Sequence, residues 1–427
     1  MVNRRRRTRT ARRALLAAVV AGALAAVLAT ELSAQANASG PGAIGTRPLP
    51  TAKVPIPNLT ALRQSMQAVV DAGSPGVFVR VDDSTIGAGN YSVSLGKGDL
   101  ATGTAVDPTG RFRVGSITKD FTAALVLQLV AEKKVSLDTV ATKYLPTGVL
   151  PAGSPITVRE LLNHTSGLFD YTNDILTGDT VTGYQAFRYQ TYQPKTLVTG
   201  AVAHGSQFKP GSMYSYSNTN FVVLGMLVEK VTGLSYPTAL QQRILTPLGL
   251  THTGFVVPTT TISGTHAIGY LTQDDPAKPL FDATDQTASW LWSAGALISS
   301  TADLNHYLRE LMTGHVVPAA QLAQMETMET VDSTSGYGLG MREYKLSCGV
   351  DVYGHDGIIE GYQTYAYTTA DGAKQVTISA NASNNTAVFA AERQVLNPVF
   401  CGGSVPSAAA KKAAAADATR VAREESH

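Results

Sequence analysis

Ser116 and Lys119 stand three residues apart at the head of a long apolar segment. A serine hydroxyl attacks a carbonyl only when a base lies within hydrogen-bond reach. On a helix, positions i and i+3 share a face, which brings the lysine amine over the serine oxygen. The free N–H groups and dipole of a first helical turn favour negative charge developing there. Burial and neighbouring cations lower a lysine pKa towards that of a base. Such a pair would perform acyl transfer through a serine ester. The same four-residue pattern recurs at Ser94–Lys97 and Ser206–Lys209, and Ser116 also reads as a plain N-cap. Ser94 lies on an apparent strand and Ser206 in a loop before Pro210, whereas Ser116 follows Gly115 and opens an apolar helix.

Two further elements would complete the chemistry. Tyr216-Ser217-Asn218 sets a phenol and an amide where a polar loop enters a second apolar helix, and Tyr171-Thr172-Asn173 has the same form in a polar stretch. A hydrogen-bonding or cationic residue followed by glycine would let substrate backbone lie against a strand edge. His355-Asp356-Gly357, before a strand near the C-terminus, fits this; His252-Thr253-Gly254 follows Pro247-Leu248-Gly249-Leu250 and reads as a turn.

The elements that must position these residues are mixed. Helices are expected over Asn58–Ala72, 116–134, Asn218–Val231 (stopped by Gly233) and Thr386–Leu396. Thr157-Val158-Arg159-Glu160 is a capping box, and Ser300 starts another helix. Strands are expected over Gly76–Asp82, Tyr91–Leu95, Gly349–Tyr353, Gln363–Thr368 and Gln375–Ser379. Strands at both chain ends with helices between them imply an α/β fold: one sheet from the two ends, with a helical lobe inserted over about residues 126–289.

The N-terminus reads as an export signal over residues 1–38: seven arginines in the first 13 positions, an apolar run Ala14–Ala29, and small-residue cleavage sites at Ala34-Gln35-Ala36 and Ala36-Asn37-Ala38. The run falls short of the ~20 residues a membrane-spanning helix needs, so a secreted protein without a stable membrane anchor is expected. A Gly-, Pro- and Thr-rich linker (39–52) precedes a catalytic domain (53–402), and an Ala- and Lys-rich tail (403–427) follows it. Beyond residue 38 the chain carries 27 basic against 31 acidic residues, which gives no argument for nucleic-acid binding. Two cysteines, Cys348 and Cys401, are expected to pair in an oxidising compartment, stabilising the fold by about 4 kcal/mol. No metal-ligand cluster, phosphate-cradling loop or Gly-x-Ser-x-Gly elbow stands out, so no cofactor or metal is expected.

Taken together, Phe112-Arg113-Val114-Gly115-Ser116-Ile117-Thr118-Lys119, Leu162-Asn163-His164-Thr165-Ser166-Gly167-Leu168, Tyr214-Ser215-Tyr216-Ser217-Asn218-Thr219-Asn220-Phe221, Tyr337-Gly338-Leu339-Gly340 and Tyr353-Gly354-His355-Asp356-Gly357 resemble, in order and spacing, the serine β-lactamase and penicillin-binding superfamily. The likeness covers about residues 53–402 and is nearest to its secreted D-alanyl-D-alanine carboxypeptidases. It implies a β-lactamase-like fold, an antiparallel sheet flanked by helices plus an all-α lobe. It implies an acyl-enzyme at Ser116, with Lys119, Tyr216 and His355 handling protons and the backbone N–H groups of Ser116 and Ile358 as oxyanion hole. Asn218 and Gly357 would hold the substrate backbone. Trp290 would wall the cleft, or else pack in the core. Arg342 would bind a substrate carboxylate, or else form a surface salt bridge. The implied partners are peptidoglycan-type peptides and β-lactams, met by a monomer. Asp356 departs from the family's threonine, and with Ile358 and Glu360 it puts carboxylate recognition in question, because an ionised aspartate would repel that group. A β-lactamase, an esterase, a peptidase preferring a free amino terminus, and a non-catalytic sensor remain alternative readings.

Overall fold

The computed structural model describes residues 56–402, apart from 86–89, 179 and 276, together with 416, 419 and 420. The export signal, the linker and nearly all of the tail lie outside the described residues.

Eight strands form the main sheet: β1 (Gly76–Asp83), β2 (Asn90–Gly96), β3 (Glu329–Thr330), β4 (Ser335–Tyr337), β5 (Arg342–Lys345), β6 (Asp351–Ile359), β7 (Tyr362–Thr369) and β8 (Lys374–Ala380). Their order is β2-β1-β8-β7-β6-β5-β4-β3, antiparallel throughout. The N-terminal hairpin therefore joins the C-terminal strands through β1–β8, as strands at both chain ends require.

Side chains alternate across each strand, so both faces must be covered. Val77, Val79 and Val81 of β1 join one core, with Leu62, Met66 and Val69 of α1 (Leu59–Asp71) and Val388 and Phe389 of the helix Thr386–Gln394. Phe78 turns to the other core, which contains α2 (Thr118–Ala131), α3 (Asn218–Thr232) and α4 (Thr301–Met312). Phe121 of α2 stacks on Tyr307 of α4, ring centroids 3.8 Å apart. Helix α2 is buried nearly all round, as its apolar sequence demands. The expected caps are present: the Thr157–Glu160 box, Ser300 accepting from the Asp303 N–H, and left-handed Gly233 ending α3. A disulfide joins Cys348 to Cys401.

Two expectations need correction. The last helix is two pieces, Thr386–Gln394 and Leu396–Phe400. More consequentially, the strand expected to end at Tyr353 continues through Ile359, so His355 lies inside β6 and not before it. Glycines at 354 and 357 masked the strand pattern, but pairing with both β5 and β7 enforces extended backbone there.

Candidate active site

Ser116 sits in a 3₁₀ turn, Gly115–Ile117, that feeds α2. The turn abuts β6 so closely that both sides must be glycine at the contact. Gly115 has φ +53°, and a Cβ there would lie 2.6 Å from the Ile358 carbonyl oxygen. A Cβ on Gly357 would lie 2.1 Å from the Val114 carbonyl oxygen and 2.9 Å from the Ser116 nitrogen. The backbone N–H groups of Ser116 and Ile358 are thus brought to one junction.

Lys119 Nζ lies 2.6 Å from Ser116 Oγ, 2.7 Å from Asn218 Oδ1 and 2.9 Å from the Ala294 carbonyl oxygen. The amide orientation of Asn218 is fixed, because its Nδ2 donates to Asp170 Oδ2 at 3.0 Å and its backbone N–H to the same oxygen at 2.9 Å. Asn218 Oδ1 and the Ala294 carbonyl can only accept, so a neutral Lys119 amine would give them its two N–H bonds. Its lone pair would then face the Ser116 hydroxyl, the geometry a general base needs. Lys119 Nζ is also 4.8 Å from the centroid of the Tyr216 ring.

Tyr216 is held by His164, whose ring centroid lies 4.2 Å from its own. His164 Nδ1 accepts from the Ser217 N–H and from Asn220 Nδ2, both at 3.1 Å, which places the His164 proton on Nε2. Burial, aided by Lys119, holds the His164 pKa well below its ordinary value, so the ring is neutral.

His355 is neutral as well. Its pKa is lowered to about 3 by burial, which outweighs the opposing pull of Asp356. Its Nδ1 can only donate to the Asp356 carbonyl, so Nε2 accepts from the Tyr337 hydroxyl at 2.9 Å. The adjacent Asp356 does not make His355 cationic, because the cost of desolvating an imidazolium is larger than one neighbouring charge returns.

Asp356 and Arg342 also need correction. Consecutive strand residues face opposite ways, so Asp356 points to the sheet face away from His355. Its carboxylate is fully buried, 3.1 Å from Arg342 Nε, and accepts from Tyr344 (3.2 Å) and Tyr367 (2.6 Å). Burial acts to raise the Asp356 pKa, but Arg342 and the hydroxyls keep it below the usual carboxylate value. Arg342, opposite Gly354 in the β5–β6 register, shares that face, is itself fully buried and lies over the Tyr337 ring. Asp356 and Arg342 are buried side by side, so Arg342 does not form a surface salt bridge.

The decoys separate cleanly. Ser94 Oγ donates to the Val106 carbonyl while Lys97 Nζ donates to Gly103. Ser206 Oγ donates to Phe208, Tyr171 is bound to the Trp290 carbonyl, and His252 is exposed. Trp290 is buried and lines a cavity together with Ile358. Asp170 was missed from the sequence; its one signal is that it follows the Leu162–Leu168 motif by two residues. Among the described residues no group of side chains could hold a metal ion, and no helix is long and apolar enough to cross a membrane.

Known proteins resemble this chain in sequence and fold. Penicillin-binding protein 4 of Amycolatopsis lactamdurans is 29% identical over 309 residues, 67% of this chain and 76% of that protein. Protein flp of Staphylococcus aureus is 29% identical over 52% of this chain, which spans only 43% of that longer relative. Among solved structures, a D-stereospecific amidohydrolase from Streptomyces sp. is 35% identical, with a TM-score of 0.73 over 82% of this chain and 100% of that one. The Beta-lactamase family model spans residues 61–398, taking in the Ser116 turn, the Tyr216–Asn218 segment and strand β6, and the chain belongs to that family of serine hydrolases.

Proposed function

We propose that the protein is a serine amidohydrolase that works through an acyl-enzyme at Ser116 on acyl donors of D configuration. The observation that carries this is Lys119 Nζ at 2.6 Å from Ser116 Oγ, with Asn218 and Ala294 fixing its other contacts. Lys119 takes the Ser116 proton as Oγ attacks the amide carbonyl. The Ser116 and Ile358 N–H groups receive the oxyanion. Tyr216, beside Lys119, donates its proton to the departing amine and regains one from Lys119, and water then hydrolyses the ester by the reverse proton path. Asn218 and the Gly357 backbone position the acyl side, and His355, neutral and bonded to Tyr337, lines the site without supplying charge.

The D configuration and the amide bond follow the Streptomyces amidohydrolase, which matches this chain over its own full length. A D-Ala-D-Ala carboxypeptidase acylated by β-lactams is the second reading, favoured by the motif order and by the penicillin-binding relative. It ranks second because Arg342, the cation expected for a terminal carboxylate, is bound to Asp356. In either case residues 53–402 are the catalytic domain of an exported enzyme, with residues 1–38 as its signal.

The test is to give the purified protein a D-amino-acid amide, its L enantiomer, a D-Ala-D-Ala peptide and labelled penicillin. The wild type should release ammonia from the D-amide in preference to the L-amide. Ser116→Ala should lose all turnover and show no covalent adduct by mass. Turnover surviving in Ser116→Ala refutes the assignment, and cleavage of the peptide alone selects the second reading.

A further inference from the structure

Beyond Ile358, strand β6 runs into a cavity of about 200 Å³. Aromatic Tyr184, Phe187 and Trp290 share its walls with polar Thr180, Ser383 and Asn384. One lining residue is acidic. Glu360 is partly exposed, and its Oε2 is shielded from solvent while accepting no hydrogen bond from the protein. Its backbone carbonyl is fixed by Gln286 Nε2 at 2.8 Å, so the residue is anchored while its carboxylate is left without a partner at Oε2. A carboxylate among aromatic walls is costly to keep unless something supplies the missing donor.

We propose that Glu360 is the anion of an acyl-side subsite that takes a primary ammonium group carried by the acyl residue. The subsite begins at Ile358, whose backbone lies at the Ser116 turn, and ends at Glu360 two residues later, so a donor whose carbonyl is at Ser116 extends naturally into it. Aromatic faces suit a cation as well as an apolar side chain. An α-amino group and an amine on a short side chain present the same ammonium, and the chemistry that recognises it is the same. This inference rests on the amidohydrolase reading and specifies its substrates.

Two matched pairs test it, each compared in wild type and Glu360→Gln, which keeps the shape of the side chain. The first is a D-aminoacyl amide against the same amide lacking the amino group, run once with an α-amino and once with a side-chain amino donor. The second is ampicillin against benzylpenicillin, which differ by one ammonium, with acylation of Ser116 followed by mass. In wild type the cationic member should have the higher kcat/KM or acylation rate, and in Glu360→Gln that ratio should fall roughly 10- to 100-fold, as expected for a lost charge-assisted hydrogen bond. The amine position that shows the fall identifies which ammonium is bound. Equal ratios in both proteins overturn the subsite. Inert amides with a falling β-lactam ratio refute the amidohydrolase reading and leave the subsite standing; inertness towards both pairs refutes both.

Discussion

Asp356 and Glu360 lie four residues apart on one stretch of chain and have opposite surroundings. Asp356 meets Arg342, Tyr344 and Tyr367 at Oδ1, while its Oδ2 accepts no hydrogen bond. Glu360 faces a cavity with both aromatic and polar walls and has no donor at Oε2. The pKa values follow: Asp356 is held low by its partners, while burial alone pushes Glu360 up to about 7. A buried charge that meets a cation and two hydroxyl donors within the fold, as Asp356 does through Oδ1, contributes to architecture. One that is buried at a cavity and left unpaired is available to a ligand.

The sharpest way to break this contrast is Asp356→Ala. It leaves the Arg342 guanidinium buried without its carboxylate, and removing one member of a buried pair costs about 3–5 kcal/mol. Chemical denaturation should show that loss, whereas Glu360→Gln should leave the midpoint the same or higher. Asp356→Thr, which restores the residue expected from family resemblance, should also destabilise here, because threonine supplies no charge to Arg342. A stability for Asp356→Ala equal to wild type would mean that Arg342 finds another partner and that the pair is not architectural.

A third acid, Asp170, lies between the two cases: it is fully paired, but with the catalytic apparatus. Burial raises its pKa against the opposing bonds from Asn218 and Thr172. Its role is to turn Asn218 so that Oδ1 faces Lys119. Asp170→Ala frees that amide to flip, and kcat should fall on the order of 10- to 100-fold with a smaller change in KM, the scale of one lost catalytic hydrogen bond. Asp170→Asn keeps an acceptor oxygen and should recover part of kcat. Equal kcat for Asp170→Ala and wild type would show that Asn218 is oriented by something else.

The sequence exposed local chemistry well and non-local pairing poorly. Ser116–Lys119 is one helical turn, and the burial of α2 is written in its own residues, so the sequence pattern alone separates the nucleophile from Ser94 and Ser206. The Asp356–Arg342 pair depends on the register of β5 against β6. Ending the β6 strand at Tyr353 discarded the alternation that sends Asp356 to the face opposite His355, and an aspartate beside a histidine was then read as sharing its cleft. The neutrality of His355 was hidden for a related reason: adjacency in the chain displays the carboxylate but not the burial that outweighs it. Glu360 was legible as an acid near the site, but the cavity it lines is walled by Leu176, Tyr184, Phe187 and Trp290, far away in sequence.

The smallest effect is the most diagnostic of the contrast, because it requires Glu360 to titrate in a window where its neighbours do not. Below about pH 7 the carboxyl is neutral and above it anionic, so recognition of an ammonium should strengthen as pH rises through that value. The donor should carry a lysine-type side-chain amine, which stays charged to about pH 10, because an α-amino group itself titrates near about 8. Tyr184, the phenol in the same cavity, is held protonated by burial, and His355 titrates at about 3, so neither changes charge near neutrality. Other ionisations at Ser116 and Lys119 act on cationic and neutral donors alike and cancel in the ratio of their kcat/KM values. That ratio should rise on the order of tenfold between about pH 6 and about pH 8 in wild type, following the ionised fraction of a group near 7. In Glu360→Gln it should be flat. A rise of the same size in the variant would assign the titration to another group, and a flat wild-type ratio would mean that Glu360 ionises outside this window or does not meet the donor's charge.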